Sequence, residues 1–230
     1  MQAHGSVLRD SEIRSELHSM LRALYAHDQY TAIIDELSLC QGESRVDLAV
    51  VNGSLSGYEI KSDRDSLSRL PLQSETYALC FDTMTIVVGS RHLEACSKRV
   101  PYWWGIWEAT RTSEGVKIEP RRGPQKNPNV SPDRLVQLLW KNEVAESLRT
   151  LGYTPSPKAG RRELWSFLVS VSTPKQLSQI VRDRIRARGD WRSGPTPFRR
   201  GDLSRSAANS QRSQENRRWL LSQRFQHRPD

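Results

Sequence analysis

The amino-acid sequence predicts an α/β fold in which helices flank one central sheet, followed by a small helical region. Three observations predict this class. Helical and strand patterns alternate along residues 8–120. The segment 83–88 is almost entirely apolar, as expected of a strand that is buried on both faces. Beyond residue 131, only helical periodicity remains. This order of elements is typical of a sheet packed between helices.

The first elements are a helix over residues 11–25 and three strands. Apolar side chains recur at helical spacing along the helix: Ile13, Leu17, Met20, Leu21 and Leu24. The strands are predicted over residues 31–39, 45–51 and 55–61, because alternating apolar residues are bounded there by turn signals. The second and third strands form a hairpin around Asn52-Gly53.

The hairpin loop decides which side chains meet across the two strands. With a two-residue turn, Asp47 pairs with Tyr58, and Asp47 and Glu59 face opposite sides of the sheet. A loop with an odd number of residues, or a bulged strand, pairs Asp47 with Glu59 instead. We therefore predict an odd loop or a bulge.

The remaining elements complete the sheet and lead into the helical region. Pro71 suits the first turn of a helix that reaches Phe81. The other predicted elements are a strand over 83–88, a helix over 92–98, a hairpin over 103–109 and 115–118, and helices over 132–152, 161–171 and 174–188. The predicted domains are a core over 8–120, a linker over 121–131, a helical subdomain over 132–189 and an Arg-rich, disordered tail over 190–230.

The net charge of +9 is concentrated near the C-terminus. Residues 181–230 contain thirteen arginines against five acids, so residues 1–180 are almost neutral. A basic tail indicates a polyanionic partner such as nucleic acid, or a solvated end that keeps the chain soluble. The sequence has no apolar run long enough to span a membrane and no apolar signal core at its start, so a cytoplasmic protein with reduced cysteines is expected.

The hairpin carries the residues with the clearest chemistry. Glu59 and Lys61 lie two positions apart on a strand and therefore point to the same side of the sheet. Asp47 can supply a second carboxylate beside Glu59. Two close carboxylates repel each other unless a cation lies between them, and Mg²⁺ prefers oxygen ligands. Lys61 could orient a metal-bound water or help to deprotonate it.

The hairpin resembles the catalytic hairpin of the PD-(D/E)XK nuclease superfamily, which has a restriction-endonuclease-like fold. The resemblance rests on Arg45-Val46-Asp47, eleven intervening residues, and Glu59-Ile60-Lys61. Within the superfamily, the chain is similar to a group of small bacterial and phage proteins. That similarity rests on residues 34–37, 57–65, 69–73 and 103–105, and extends more weakly to about residue 190.

The resemblance implies a metal-dependent nuclease site. Asp47 and Glu59 would bind Mg²⁺ or Mn²⁺, with the Ile60 carbonyl as a further ligand and Lys61 as the catalytic lysine. Glu36 would complete the metal site, although Glu12 or Glu16 could serve instead. Val46 replaces the proline of the nominal motif.

A second element is similar to one in RecB-type nucleases. Gln73 and Tyr77 lie four residues apart on the predicted helix, one above the other. They resemble the Gln-x-x-x-Tyr element, which implies that they orient the substrate and the active site.

Three functions from different classes are open. The first is a Mg²⁺-dependent hydrolase that cleaves DNA, which is favoured over RNA as the partner. The second is a nuclease fold that binds nucleic acid without cleaving it, and the third is an accessory protein of a phage or defence system that acts through a protein partner. The arginines predicted to contact nucleic acid are Arg182, Arg184, Arg186, Arg188, Arg199 and Arg200.

Overall fold

The computed structural model describes residues 7–188 of the chain. The helices are α1 (Asp10–Leu24), α2 (Leu70–Ala78), α3 (Leu93–Arg99), α4 (Pro132–Leu135), α5 (Lys141–Thr150), α6 (Arg161–Val171) and α7 (Pro174–Ala187). The strands are β1 (Ala32–Leu39), β2 (Ser44–Val51), β3 (Leu55–Lys61), β4 (Thr83–Gly89), β5 (Gly105–Thr112) and β6 (Gly115–Arg122). Each predicted element of the α/β region is present, and its ends differ from the predicted ends by at most about four residues.

The six strands form one mixed sheet in the order β1-β2-β3-β4-β5-β6. Neighbouring strands are antiparallel except for β3, β4 and β5, which run parallel to one another. The two parallel connections contain α2 and α3, because parallel neighbours need a crossover that returns the chain to the same end of the sheet. A mixed sheet flanked by helices confirms the predicted fold class.

Each face of the sheet has its own apolar core. On β2, Leu48 and Val50 pack on the face that α1 covers, whereas Ala49 and Val51 pack on the opposite face with α2. Ile13, Leu17 and Leu21 of α1 are fully buried. Burial of a side chain of this size contributes about 1.5–3 kcal/mol, which holds α1 against the sheet.

The predicted helix over residues 132–152 was wrong as a single element, because the chain is extended at Leu139 and Trp140. Glu143 accepts the backbone N–H of Trp140 at 2.7 Å and so caps a new helix, α5. The carbonyls freed at the break have tertiary donors. Arg188 binds the Leu138 oxygen at 2.6 Å, and the Trp165 indole binds the Leu139 oxygen at 3.3 Å. Contacts from α6 and the end of α7 therefore stabilise the break.

The segment before α4 is bonded to the sheet domain. The Asn127 side chain donates to the carbonyl oxygens of Ala78 and Phe81, both at 2.7 Å, and the Ser131 N–H donates to the Leu79 oxygen. Apolar side chains of α5, α6 and α7 belong to the same buried cluster as the face of the sheet that α2 covers. The C-terminal helices therefore pack on the sheet, and the domain boundaries at residues 120 and 131 stay a prediction.

All three cysteines lie within the described residues. Cys40, Cys80 and Cys96 are free and buried, as expected of reduced thiols. Within residues 7–188, no helix combines the length and the apolar character that a membrane span requires.

Candidate active site

The hairpin loop has the odd count that the sequence argument requires. Val51 pairs with Leu55, which leaves the three residues 52–54 in the loop. The Asn52 side chain accepts the Ser54 N–H at 3.0 Å, and the Asn52 N–H donates to the Ser54 carbonyl. Leu48–Tyr58 is the last pair of this ladder, and extending the register by one residue places Asp47 opposite Glu59. The prediction of an odd loop is confirmed.

Glu59 lies on the face of the sheet that α2 covers and is only 2% exposed. Its Oε1 atom accepts hydrogen bonds from Lys61 Nζ at 2.5 Å and from Gln73 Nε2 at 2.7 Å. Its Oε2 atom lies 2.8 Å from the Tyr77 hydroxyl. Glu59 and the three side chains bound to it are therefore four of the six candidate catalytic residues predicted from the sequence.

The protonation of Glu59 follows from its burial and its neighbours. Burial raises the pKa of Glu59, and the negative charge of Asp47 raises this pKa further, although Lys61 and Tyr77 oppose the change. The Tyr77 hydroxyl has one proton but lies within hydrogen-bond distance of two acceptors, Glu59 Oε2 and the Arg45 carbonyl at 2.9 Å. If Glu59 carries a proton, it can donate to Tyr77 while Tyr77 donates to Arg45. The hydrogen-bond arrangement therefore accommodates a protonated Glu59.

Asp47 is held by contacts different from those of Glu59. Its Oδ2 atom accepts the backbone N–H of Ile60 at 2.7 Å, at the point where the ladder between β2 and β3 stops. Its Oδ1 atom accepts a hydrogen bond from Arg14 Nη2 at 2.6 Å. Arg14 belongs to α1, on the other face of the sheet from α2. A guanidinium group therefore already compensates the second carboxylate.

Glu36 lies beside Asp47 in a strained backbone conformation. The flanking pairs Asp35–Leu48 and Leu37–Val46 place Glu36 opposite Asp47. The φ angle of Glu36 is +56°, a left-handed value that costs a non-glycine residue about 1–3 kcal/mol. Its carboxylate binds Arg14 at 3.3 Å and Arg45 at 2.5 Å. Arg14 therefore joins Glu36 to Asp47.

Glu12, one of the two alternatives to Glu36, has a separate role. It forms an ion pair with Arg111 at 2.7 Å and accepts the Arg9 N–H at 3.0 Å. The bond to Arg9 caps the start of α1, which is the usual use of an acid in the first helical turn. The geometry therefore favours Glu36 over Glu12 as the third carboxylate.

The donor chemistry at the hairpin fits a divalent cation bound by few protein ligands. Within residues 7–188, no three acidic, histidine or cysteine side chains converge closely enough to hold a metal ion. Mg²⁺, however, commonly binds one or two carboxylates and keeps several waters. Asp47 is close enough to Glu59 for its negative charge to raise the pKa of Glu59. Gln73 Oε1 is a buried acceptor that has no hydrogen-bond partner among the described residues. A hydrated cation would therefore meet two carboxylates that are already paired with Arg14 and Lys61, and one unused oxygen.

The arginines at the end of the chain lie in two groups. Those on α7 and at its C-terminus form ion pairs: Arg182 with Asp82, Arg184 with Glu146, Arg186 with Asp183 and Arg188 with Glu143. Arg199 and Arg200 lie outside the described residues. The four described arginines therefore have structural partners, and their contact with nucleic acid stays a prediction.

Arg14 is the member of the site that the sequence argument missed. In the sequence it is one charged residue on a helix, four positions after Asp10, and that spacing predicts an ordinary surface ion pair. No local signal indicates that α1 crosses the sheet where Arg14 can reach Asp47. The exposed aromatic residues Tyr30 and Trp140 were also missed, since single aromatics outside a motif indicate nothing by themselves.

The fold and the site together define a mixed α/β protein with a buried glutamate–lysine pair beside a second, arginine-bound carboxylate. Residues 4–194 match the family described as bacteriophage P4 protein cII, and the chain belongs to that family. It is similar to protein cII of Enterobacteria phage P4, with 28% identity over 186 residues that cover 80% of this chain and 69% of the phage protein. No solved structure matches the chain.

Proposed function

We propose that the protein is a Mg²⁺-dependent nuclease that hydrolyses phosphodiester bonds in DNA. The observation that carries the proposal is the convergence of Lys61, Gln73 and Tyr77 on the buried carboxylate of Glu59. These residues were selected from the sequence because they resemble parts of a nuclease site. A chance surface pair would not need two further donors from a neighbouring helix.

Asp47 and Glu59, with the Ile60 carbonyl, would hold Mg²⁺ or Mn²⁺. Glu36 lies opposite Asp47 but does not converge with the other two acids closely enough to be a third ligand. When bound, a divalent cation makes a coordinated water more acidic and stabilises negative charge on the scissile phosphate. Lys61 supplies a positive charge at Glu59 Oε1 and can orient the attacking water or take part in its deprotonation. Three free, buried thiols are compatible with a reaction in the bacterial cytoplasm.

The other site residues position these groups. Gln73 and Tyr77 hold the Glu59 carboxylate in one orientation from α2. Arg14 neutralises Asp47 and Glu36 when no cation is present, and it must share or release Asp47 when one binds. Arg14 is thus a positioning residue that keeps two carboxylates close together despite their repulsion.

A binding protein that does not cleave is the second candidate, and one observation favours it. Both carboxylates of the site are paired with basic side chains, Asp47 with Arg14 and Glu59 with Lys61. A site neutralised in this way is stable without a metal. Membership of the phage family is equally compatible with either candidate.

A cleavage assay separates the two candidates. Linear, circular, single-stranded and branched DNA would be incubated with the full chain in Mg²⁺, Mn²⁺ or EDTA. We expect metal-dependent cleavage that falls at least about 100-fold in Lys61→Met, the size of effect expected for a positioned proton-transfer group. Lys98→Met is the matched control, because Lys98 forms an exposed ion pair with Glu94 at 2.7 Å. If neither the wild type nor the control cleaves any substrate, the nuclease proposal fails.

A further inference from the structure

A large groove runs beside the free edge of the sheet. It has a volume of about 1230 Å³ and lies between α1, the edge strand β1 and the helices α6 and α7. Its lining is mixed: aromatic rings, arginines and Asp183 lie on the helical side, and Asp35 and Glu36 lie on β1. None of the residues that hold Glu59 lines it. The groove is thus a separate feature from the buried half of the candidate site.

Arginine–aromatic pairs are concentrated in the groove. Three such pairs occur within residues 7–188, and all of them line it. The pairs are Arg161 over Trp165 at 5.8 Å, Arg186 over Tyr30 at 5.9 Å, and Arg188 over Trp140 at 4.3 Å. A flat ring beside a guanidinium group offers a stacking surface and a positive charge at one position.

Two of these rings are exposed to solvent. Tyr30 is 66% exposed and Trp140 is 46% exposed, in addition to their contacts with Arg186 and Arg188. An aromatic ring that stabilised only the core would be buried, as Trp165 is. Both rings therefore present part of their surface to the groove.

The lining of the groove includes two arginines that can attract an anionic ligand. They are Arg22 and Arg161, and neither forms an ion pair within residues 7–188. At the strand, the lining includes Glu36, which shares Arg14 with Asp47. An extended anionic ligand bound along the groove would therefore reach the partly exposed half of the candidate active site.

We infer that the groove binds a single-stranded segment of nucleic acid. Unpaired bases have free faces that stack on aromatic rings, whereas the bases of a duplex are already stacked on one another. Arg22 and Arg161, which line the groove and form no ion pair within residues 7–188, would meet the phosphates between those bases. Binding in the groove deepens the proposed function by naming the substrate class, and delivery of the strand to Asp47 rests on that function.

The test is the affinity for a fluorescein-labelled oligothymidine of about 20 nucleotides, measured by fluorescence anisotropy with the full chain in EDTA. Tyr30→Ala and Trp140→Ala should each weaken binding about 5- to 100-fold, as expected for the loss of one stacking platform. Trp140→Phe should retain most of the affinity because it keeps a ring. Tyr102→Ala is the matched control, since Tyr102 is 67% exposed but lies outside the groove, and it should change the affinity by less than about twofold.

An abasic oligonucleotide of the same length separates stacking from charge. It carries the same phosphates but no bases, so the effects of Tyr30→Ala and Trp140→Ala should disappear on it. The inference is overturned if these variants bind oligothymidine like the wild type, or if a duplex of equal length binds as tightly as the single strand and loses as much affinity in the variants. These outcomes do not depend on cleavage. Groove-dependent binding without any cleavage would contradict the nuclease proposal and leave the groove assignment intact.

Discussion

The two carboxylates of the hairpin, Asp47 and Glu59, lie opposite each other in the strand register but in contrasting surroundings. Glu59 is buried against α2 and receives hydrogen bonds from Lys61, Gln73 and Tyr77. The Asp47 side chain is about one-fifth exposed and pairs with Arg14 from the other face. Burial makes the proton affinity of Glu59 high, whereas exposure and a guanidinium group keep Asp47 compensated.

One hairpin therefore holds two acids in different environments, one buried and one partly exposed. A buried acid with a raised pKa can exchange a proton, and a partly exposed acid with an exchangeable partner can accept a cation. The raised pKa of Glu59 depends in part on the charge of Asp47, so the two halves are coupled. Substitutions at Lys61, Tyr77 and Glu59 test the buried half of the site, and a substitution at Arg14 tests the partly exposed half.

The largest effect is expected for Lys61→Met, which removes the cation from the buried half. Breaking a buried ion pair destabilises a protein by about 3–5 kcal/mol, because the remaining charge stays desolvated. The loss should be smaller at pH 5 than at pH 8, since a protonated Glu59 no longer needs the cation. Urea unfolding at both pH values measures this difference. An equal loss at both would show that packing of the lysine, and not its charge, is what matters.

Tyr77→Phe should destabilise the fold by about 1–3 kcal/mol. The change leaves the buried Glu59 oxygen and the Arg45 carbonyl without the hydroxyl that bridges them. Tyr102→Phe is the control, because Tyr102 is largely exposed. Thermal and urea unfolding of the two variants give the comparison. A Tyr77→Phe variant as stable as the wild type would mean that water replaces the hydroxyl.

The pH dependence of the unfolding free energy of Glu59→Gln tests the raised pKa of the buried acid. Because the pKa of Glu59 is raised in the folded state, folded protein binds this proton more tightly than unfolded protein does. The contribution of Glu59 to wild-type stability is therefore lost as the pH rises through the interval between its ordinary pKa of 4.5 and the raised one. The free energy of unfolding of Glu59→Gln, relative to that of the wild type, should therefore rise over this interval. The rise should be about 1.4 kcal/mol for each pH unit between the ordinary pKa and the raised pKa.

Unfolding free energies of both proteins between pH 4 and pH 7 test this expectation. The variant also leaves Lys61 without its anion, which shifts the whole curve by a nearly constant amount in this range. The slope of the difference is therefore the quantity to compare. A difference that stays flat with pH would contradict the raised pKa.

The smallest effect on stability is expected for Arg14→Met, in the exposed half. Its ion pairs with Asp47 and Glu36 are partly solvated, and such pairs contribute about 0–1 kcal/mol. The same change releases two carboxylates, so Mn²⁺ should stabilise this variant more than it stabilises the wild type. Thermal unfolding with and without Mn²⁺ measures both effects. A decrease of several kcal/mol in the free energy of unfolding would mean that the ion pairs of Arg14 behave like buried ones.

Several features of the site follow from the sequence because they depend on local periodicity. Glu59 and Lys61 share a face because a strand repeats every two residues, and Gln73 and Tyr77 align because they are one helical turn apart. The register of Asp47 depended on whether the loop had an odd number of residues. Each of these inferences needs only residues that are close in the sequence.

The helical region shows where local periodicity stops being informative. The apolar pattern over residues 132–152 suits one helix, yet the chain breaks at Leu139 and Trp140. The break is stabilised by Arg188 and Trp165, which approach from elements far along the chain. A pattern within one segment carries no information about such donors.

By itself, the sequence determined the order of elements in the α/β region, the shared face of Glu59 and Lys61, and the alignment of Gln73 with Tyr77, because hydrophobic period and residue spacing act over short distances. The tertiary structure alone decided that Arg14 reaches Asp47, that Glu36 takes a left-handed conformation and that Tyr30 and Trp140 share a groove. These arrangements depend on how α1 and the C-terminal helices pack on the sheet. Packing brings together residues that are distant along the chain, and in the sequence each of these residues looks like an ordinary surface residue.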